Sequence, residues 1–247
     1  MPRTGIPGLD TFWQQALWLQ VAAAVFVLAG LPHAFNLIDG YNGLAGTVAV
    51  ICCAALAHVA LQLGDRQLAA TILVLAGATL GFLAWNYPKG LIFAGDGGAY
   101  LWGIVLGICS IQLVQRHPMV SPWFPILLLV YPTWETLFSI YRKVARGQSP
   151  SLADALHFHQ LIYRRVVRQV FHDDTARRML TRNNRTSPWL WGFTLLTVVP
   201  AVLFWRSTAI LAAFTLLFIL SYLWAYHSIV RFRMQRWLRR IRRLYPR

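Results

Sequence analysis

Apolar residues run almost unbroken through positions 14–31, 43–62, 68–85, 99–115, 122–141, 188–205 and 208–230. Each run is close to the ~20 residues that a helix needs to cross a hydrocarbon core. Backbone groups within lipid must pair internally, so such runs are helices or strands of a closed barrel. Barrel strands alternate apolar and polar positions over about ten residues, and these runs do neither. The pattern therefore predicts an all-α, polytopic helical transmembrane bundle of about seven spans, forming a single membrane domain over residues 1–247. A cytoplasmic loop at 142–187 and a basic tail at 231–247 complete it.

Composition supports this reading and excludes an ordinary soluble domain. Hydrophobic residues make up 57% and charged residues 13%, against roughly 45–50% and 25% in soluble domains. The first run, preceded by Arg3 and ending in Ala29-Gly30-Leu31-Pro32-His33-Ala34, also has the outline of a secretory signal with its cleavage site. The polar motif that follows directly argues against cleavage. Cys52, Cys53 and Cys109 fall inside predicted spans, which suggests packing residues rather than a disulfide framework or a zinc site. Gly77/Gly81 and Gly103/Gly107 predict close helix approach, and Pro125 and Pro132 predict a kink in the fifth span.

Charge orients the bundle. With seven spans, 19 of the 23 Lys and Arg residues fall on one face: Lys89, the 142–185 loop and the tail. Basic loops stay cytoplasmic, so this face is inside. The tail, with Trp237, Leu238, Ile241 and Leu244 among its arginines, suits an amphipathic helix on anionic lipid. The 142–185 loop suits a polyanionic substrate. No nucleic-acid motif accompanies the charge, so nucleic acid is not an expected partner.

The acids are few: Asp10, Asp39, Asp65, Asp96, Glu135, Asp154, Asp173 and Asp174. Asp10 and Asp65 fall on the outer face as solvated charges. Asp39 lies in Asn36-Leu37-Ile38-Asp39-Gly40-Tyr41-Asn42-Gly43, either a polar turn in which Asn36 or Asp39 caps the next helix or a site where glycines let a ligand approach. Asp96, among Gly95, Gly97 and Gly98, is either an N-cap or a hard oxygen ligand for Mg²⁺. His157 and His159 stand two apart, the wrong spacing for a helical zinc pair, but beside arginines they suit phosphate contacts. Glu135 is an intramembrane carboxylate, by default a functional candidate. Arg142, seven residues on, shares its helix face and offers a structural partner instead.

The ordered series NLIDGYNGLAG, NYPKGLIFAGDGGAYLWG and YPTWETLFSIYRKVARGQSPSLADALHFHQLIYRR closely resembles the polyprenyl-phosphate N-acetylhexosamine-1-phosphate transferases, over roughly residues 30–170. The resemblance implies transfer of a sugar-1-phosphate from a UDP-N-acetylhexosamine to undecaprenyl phosphate, with release of UMP. It implies Mg²⁺ as cofactor, with Mn²⁺ an alternative. It also implies a bacterial inner-membrane enzyme with a cytoplasmic active face, acting in cell-wall, O-antigen or lipopolysaccharide synthesis. By motif position, Asp39 and Asp96 are the catalytic residues, Asp96 also contacting the metal. Asn36, Asn42, Asn86, Lys89, Arg142, His157 and His159 become the substrate-binding set. Membrane lipids are further partners, and a homodimer is left open.

Two departures from the family pattern stand out. Asn42 replaces a second Asp of the first motif, which is more like the O-antigen side of the family. The family's upstream Asp-Asp motif has no counterpart before Asp39, and Asp173-Asp174 lies in the wrong place to substitute. The expectation is an N-terminally truncated or start-misassigned member. Its non-enzymatic alternative is a membrane partner or scaffold in polysaccharide assembly. A transporter fits poorly, because its polar site is expected near the bilayer midplane.

Overall fold

A computed structural model describes residues 3–149, 157–167 and 176–231. Asp154, Arg168, Asp173, Asp174 and the tail from residue 232 lie outside the described residues. The helices are α1 (Pro7–Gln15), α2 (Leu17–Ile38), α3 (Leu44–Gln62), α4 (Arg66–Asn86), α5 (Gly95–Arg116), α6 (Trp123–Leu128), α7 (Val130–Val144), α8 (Phe158–Ile162), α9 (Ala176–Leu203) and α10 (Thr208–Val230). One π-helical turn, Tyr163–Val167, follows α8. Among the described residues six segments are long and apolar enough to cross a membrane: α2, α3, α4, α5, residues 183–203 of α9, and α10.

The fifth predicted run, 122–141, is instead two helices, α6 and α7, broken at Leu129. The cause lies in the sequence. Pro132 has no N–H, so the carbonyl of Leu128 four residues earlier loses its helical donor. The thiol of Cys52 takes that place, 3.7 Å from the Leu128 oxygen, a weak bond that satisfies a buried acceptor. Cys52 therefore packs and also mends a proline break. Cys53 and Cys109 are buried and free.

Helix α3 forms the centre of the bundle, with Leu44, Ala45, Val48, Ala49, Cys52, Leu56, Val59 and Ala60 all buried. Its alanines and Gly46 let α4, α5 and α9 pack closely around it. The two predicted small-residue pairs part company. A Cβ on Gly103 would stand 2.4 Å from the backbone nitrogen of Pro32, so α5 crosses α2 in direct backbone contact at that helix's proline. Gly77 and Gly81 have nothing within 4 Å and lie on the exposed face of α4. Their spacing is right, but no described helix uses it.

The chain reverses at two levels. At one, Asp65 caps α4 by accepting from the Leu68 N–H at 3.0 Å. The same carboxylate lies 3.2 Å from Arg116 and 3.1 Å from His117. Nearby, Arg3 donates to the carbonyls of Pro118, His117 and Val120, and the Ser121 and Thr208 hydroxyls meet at 2.7 Å. At the other level lie the ends of α2, α4, α7 and α10 and the starts of α3 and α5. Asn36, Asp39, Asn42, Asn86, Lys89, Asp96, Arg142, His157 and His159 are found there, while Glu135 lies about two turns within α7.

Candidate functional site

Asn36, in the last turn of α2, donates its amide to Asp96 Oδ1 at 2.7 Å. This joins two motifs sixty residues apart. Asp96 caps nothing: it lies in the first turn of α5, whose N-cap is Ala94 without a side-chain bond. Its carboxylate is exposed, and Oδ2 has no protein partner among the described residues. Three residues beyond Asn36, Asp39 ends α2 as its C-cap and does not cap α3, so the capping reading fails for both acids. Asp39 is half-buried with no side-chain hydrogen bond or ion pair among the described residues, and burial pushes its carboxyl up to about 6. Desolvation disfavours the charged form, and no described cation offsets it.

The turn that carries Asp39 is fixed from several sides. Gly43, the N-cap of α3, has φ +71°, and a Cβ there would stand 2.7 Å from the Tyr87 ring. Backbone conformation and space thus both demand glycine. Its N–H donates to Asn86 Oδ1 at 2.6 Å, and the Asn86 amide donates to the Ile92 carbonyl at 2.8 Å. Asn86 is buried and latches the first motif to the second, with both ends of its side chain engaged. Asn42 is buried as well. Its N–H donates to Asn183 Oδ1 at 2.8 Å and its amide to Asn184 Oδ1 at 3.2 Å, while its carbonyl accepts from Ser187 at 2.6 Å. Trp191 donates to the Gly43 carbonyl at 3.0 Å. An amide at position 42 suits this role, since it can donate where a carboxylate cannot.

His157 and His159 stack face to face, with ring centroids 5.5 Å apart and planes within 5°. His159 meets Tyr41 edge-on at 5.6 Å, and its Nε2 is 3.1 Å from where a Gly40 Cβ would stand. It therefore packs directly beneath the turn after Asp39. Burial drives the His159 imidazole down to about 4, against the raising effect of the nearby Glu135 carboxylate. It is neutral at physiological pH and brings hydrogen-bonding capacity rather than positive charge. Tyr163 continues the stack on the far side of Tyr41, at 5.4 Å.

Two expected contacts are arranged differently. Arg142 is buried, with Nη1 donating to the Tyr226 hydroxyl at 2.7 Å and the guanidinium over the Phe138 and Tyr226 rings. Glu135 does not pair with it. The Glu135 carboxylate accepts from the Phe158 N–H and the Tyr222 hydroxyl, each at 2.7 Å. Lys89 is exposed in the turn between α4 and α5. The structure thus brings Asn36, Asp39, Asp96 and His159 to one end of the bundle, with Lys89 at its rim. Asn42, Asn86 and Arg142 brace that end from within.

Sequence reasoning missed Tyr41, Asn183, Asn184 and Tyr222. The Asn183-Asn184 pair had a local signal, a polar stretch abutting an apolar run. Tyr222 and Tyr226 had only their position inside a span.

The donor set decides what cation can sit here. No three His, Cys, Asp or Glu residues converge among the described residues, so an all-protein metal cage is absent among them. One exposed carboxylate with an open oxygen suits a hard cation that takes its remaining ligands from phosphate and water, as Mg²⁺ does.

Residues 1–114 match the family model described as glycosyl transferase family 4. That match stops before Glu135 and the histidine motif. The chain is 34% identical over 143 residues to a probable undecaprenyl-phosphate N-acetylglucosaminyl 1-phosphate transferase of Bacillus subtilis, covering 58% of this chain and 40% of that protein. It is 31% identical over 163 residues to a decaprenyl-phosphate N-acetylglucosaminephosphotransferase of Mycolicibacterium smegmatis, covering 57% and 40%. A phospho-N-acetylmuramoyl-pentapeptide-transferase of Levilactobacillus brevis is 30% identical over 154 residues, covering 62% and 46%. The chain spans about two fifths of the length of the curated relatives it matches. No solved structure gives a significant match.

Proposed function

We propose that this chain, related over its first 114 residues to the family 4 glycosyl transferases, transfers a sugar-1-phosphate of N-acetylhexosamine type from a UDP-sugar to undecaprenyl phosphate. The observation that carries the reading is the Asn36–Asp96 pair, with its open carboxylate oxygen, at the same end of α2 as Asp39, which has no charged partner among the described residues. An oxygen of the lipid phosphate bonds to the β-phosphorus of the UDP-sugar. The bridging bond to the α-phosphate breaks, and UMP leaves on the cytoplasmic side.

Phosphoryl transfer asks a protein for positioning and charge neutralisation more than for covalent chemistry. Asp96 would hold Mg²⁺ together with the diphosphate, and the bound cation would neutralise charge on the reacting oxygens. Asn36 fixes the carboxylate that does this, leaving one oxygen open. Asp39, with its raised proton affinity, is suited to take a proton from the lipid phosphate near neutral pH. Lys89 at the rim attracts the anionic substrates. The basic balance of the sequence, with 19 of 23 cationic residues expected on this face, supports a reaction in the cytoplasmic leaflet of the inner membrane.

The test is Mg²⁺-dependent UMP release from UDP-N-acetylglucosamine and undecaprenyl phosphate by the chain in lipid nanodiscs. Release that requires both the lipid phosphate and Mg²⁺ supports the reading. Its absence with every UDP-N-acetylhexosamine tried rejects it.

A further inference from the structure

Glu135 is 1% exposed, and a carboxylate so deeply buried is costly to keep unless its partners repay it. The transfer chemistry above does not use it. Its two oxygens are divided between two separate elements. Oε1 accepts the Phe158 N–H at 2.7 Å and lies 3.5 Å from His157 Nδ1. Oε2 accepts the Tyr222 hydroxyl at 2.7 Å. One side chain on α7 therefore ties the start of α8 to the middle of α10.

The Phe158 N–H is the first donor of α8, one of the groups that a helix start leaves unsatisfied. His157, the N-cap, makes no side-chain cap bond. Glu135 supplies the missing acceptor from another helix. The far end of the same segment is also clamped: Arg165 donates to the Ile229 and Val230 carbonyls at 2.9 and 2.7 Å, at the C-terminus of α10. Between these clamps His157 and His159 stack, and His159 is pressed against Gly40 and Tyr41. A continuous chain of contacts thus runs from Glu135 to the turn that carries Asp39.

We propose that Glu135 is a positioning residue: it caps the Phe158–Ile162 helix in trans and so seats His159 under the Asp39–Tyr41 turn. Its place in the reaction rests on the transferase reading above; its anchoring role does not. Glu135→Ala leaves the Phe158 N–H and the Tyr222 hydroxyl without an acceptor. Glu135→Gln can still accept from Phe158. Tyr222→Phe removes one bond and leaves the cap.

The experiment combines amide hydrogen exchange with UMP-release kinetics on the full chain in nanodiscs. With Glu135→Ala, exchange over residues 158–162 rises about tenfold or more while α3 keeps its protection, the pattern of local rather than global opening. Glu135→Gln and Tyr222→Phe give smaller rises. In kinetics, Glu135→Ala raises KM for the nucleotide sugar more than it lowers kcat, and Glu135→Gln recovers part of the loss. Unchanged exchange over 158–162 overturns the proposal. So does exchange that rises equally in α3, which marks a general structural role. A loosened segment with wild-type KM and kcat overturns the catalytic consequence alone. If the wild-type chain releases no UMP, the transferase reading fails, and the exchange pattern still decides whether Glu135 anchors the segment.

Discussion

The bundle has two polar ends, and they use charge in opposite ways. At one end each described acid is committed: Asp65 meets Arg116, His117 and the Leu68 N–H, and Asp10 binds Thr4 and Gly5. At the end that carries the Asp39 and Asp96 motifs, neither acid has an ion pair among the described residues. Amides do the bracing there: Asn36, Asn42, Asn86, Asn183 and Asn184. A polar end that serves only as a turn neutralises its charges. An end whose described acids are held by neutral groups, with no counter-charge among the described residues, is what the proposed ligand site rests on.

The largest expected effect breaks that comparison at its centre. Asp96→Asn keeps the size of the side chain and removes the open anionic oxygen. UMP release should fall by about 100-fold or more, the scale seen when one preorganised electrostatic contact is removed. Asp65→Asn at the other end should leave turnover unchanged. Equal losses at both ends would erase the distinction.

Packing comes next. Gly103→Leu drives a side chain into the Pro32 backbone and should cost about 1–3 kcal/mol or more, as overpacking does. Gly77→Leu, on the open face of α4, should stay within about 0.5 kcal/mol of wild type. Thermal unfolding in detergent compares them directly, and equal losses would show that α4 is covered.

A smaller effect separates the two acids by pH. The Asp39 carboxyl is raised from 3.8 to about 6, so the fold prefers it protonated. The resulting penalty is absent below pH 3.8, grows as pH rises through the interval to 6, and is complete above it. Asp39→Asn should therefore be more stable than wild type at pH 7.5, and the gain should vanish near pH 4. Asp65 has the opposite sign. Burial raises its proton affinity, but the Leu68 N–H, His117 and Arg116 outweigh that and hold the carboxyl below its ordinary value. Its contribution is present at neutral pH and is lost as pH falls through the depressed value. Asp65→Asn keeps the cap, since Asn caps as well as Asp, and removes only the ion pairs. The loss at pH 7.5 should be under about 1 kcal/mol, because Arg116 is well exposed. Tm shifts at pH 4 and 7.5 measure the Asp39 effect, and a pH series continued below 3.8 measures the loss of the Asp65 contribution.

These contrasts also mark what the chain discloses in advance. Apolar run length locates α3, α4, α5 and α10 closely, since the demands of lipid on the backbone act locally, but α2 runs on past position 31 to Ile38 and α9 begins at Ala176, well ahead of 188. The fifth run misleads because Pro132 breaks a helix while the apolar pattern continues across the break. The Asp39 and Asp96 motifs are legible because glycine and acid stand out against apolar spans. Glu135 and Arg142 are legible as buried charges, but not their partners: helical spacing suggests each for the other, whereas Tyr222 and Tyr226 come from a helix some eighty residues away. Gly77/Gly81 and Gly103/Gly107 look alike in sequence, and only the arrangement of neighbouring helices tells them apart.

If this end of the bundle carries out sugar-phosphate transfer, it does so through Asp96. The most direct test is UMP release from UDP-N-acetylglucosamine with undecaprenyl phosphate in nanodiscs, titrated with Mg²⁺, for wild type and Asp96→Asn side by side. Wild type should show saturable Mg²⁺-dependent release, and the variant should lose it. Near wild-type release by Asp96→Asn at the same Mg²⁺ concentrations would contradict that role for Asp96.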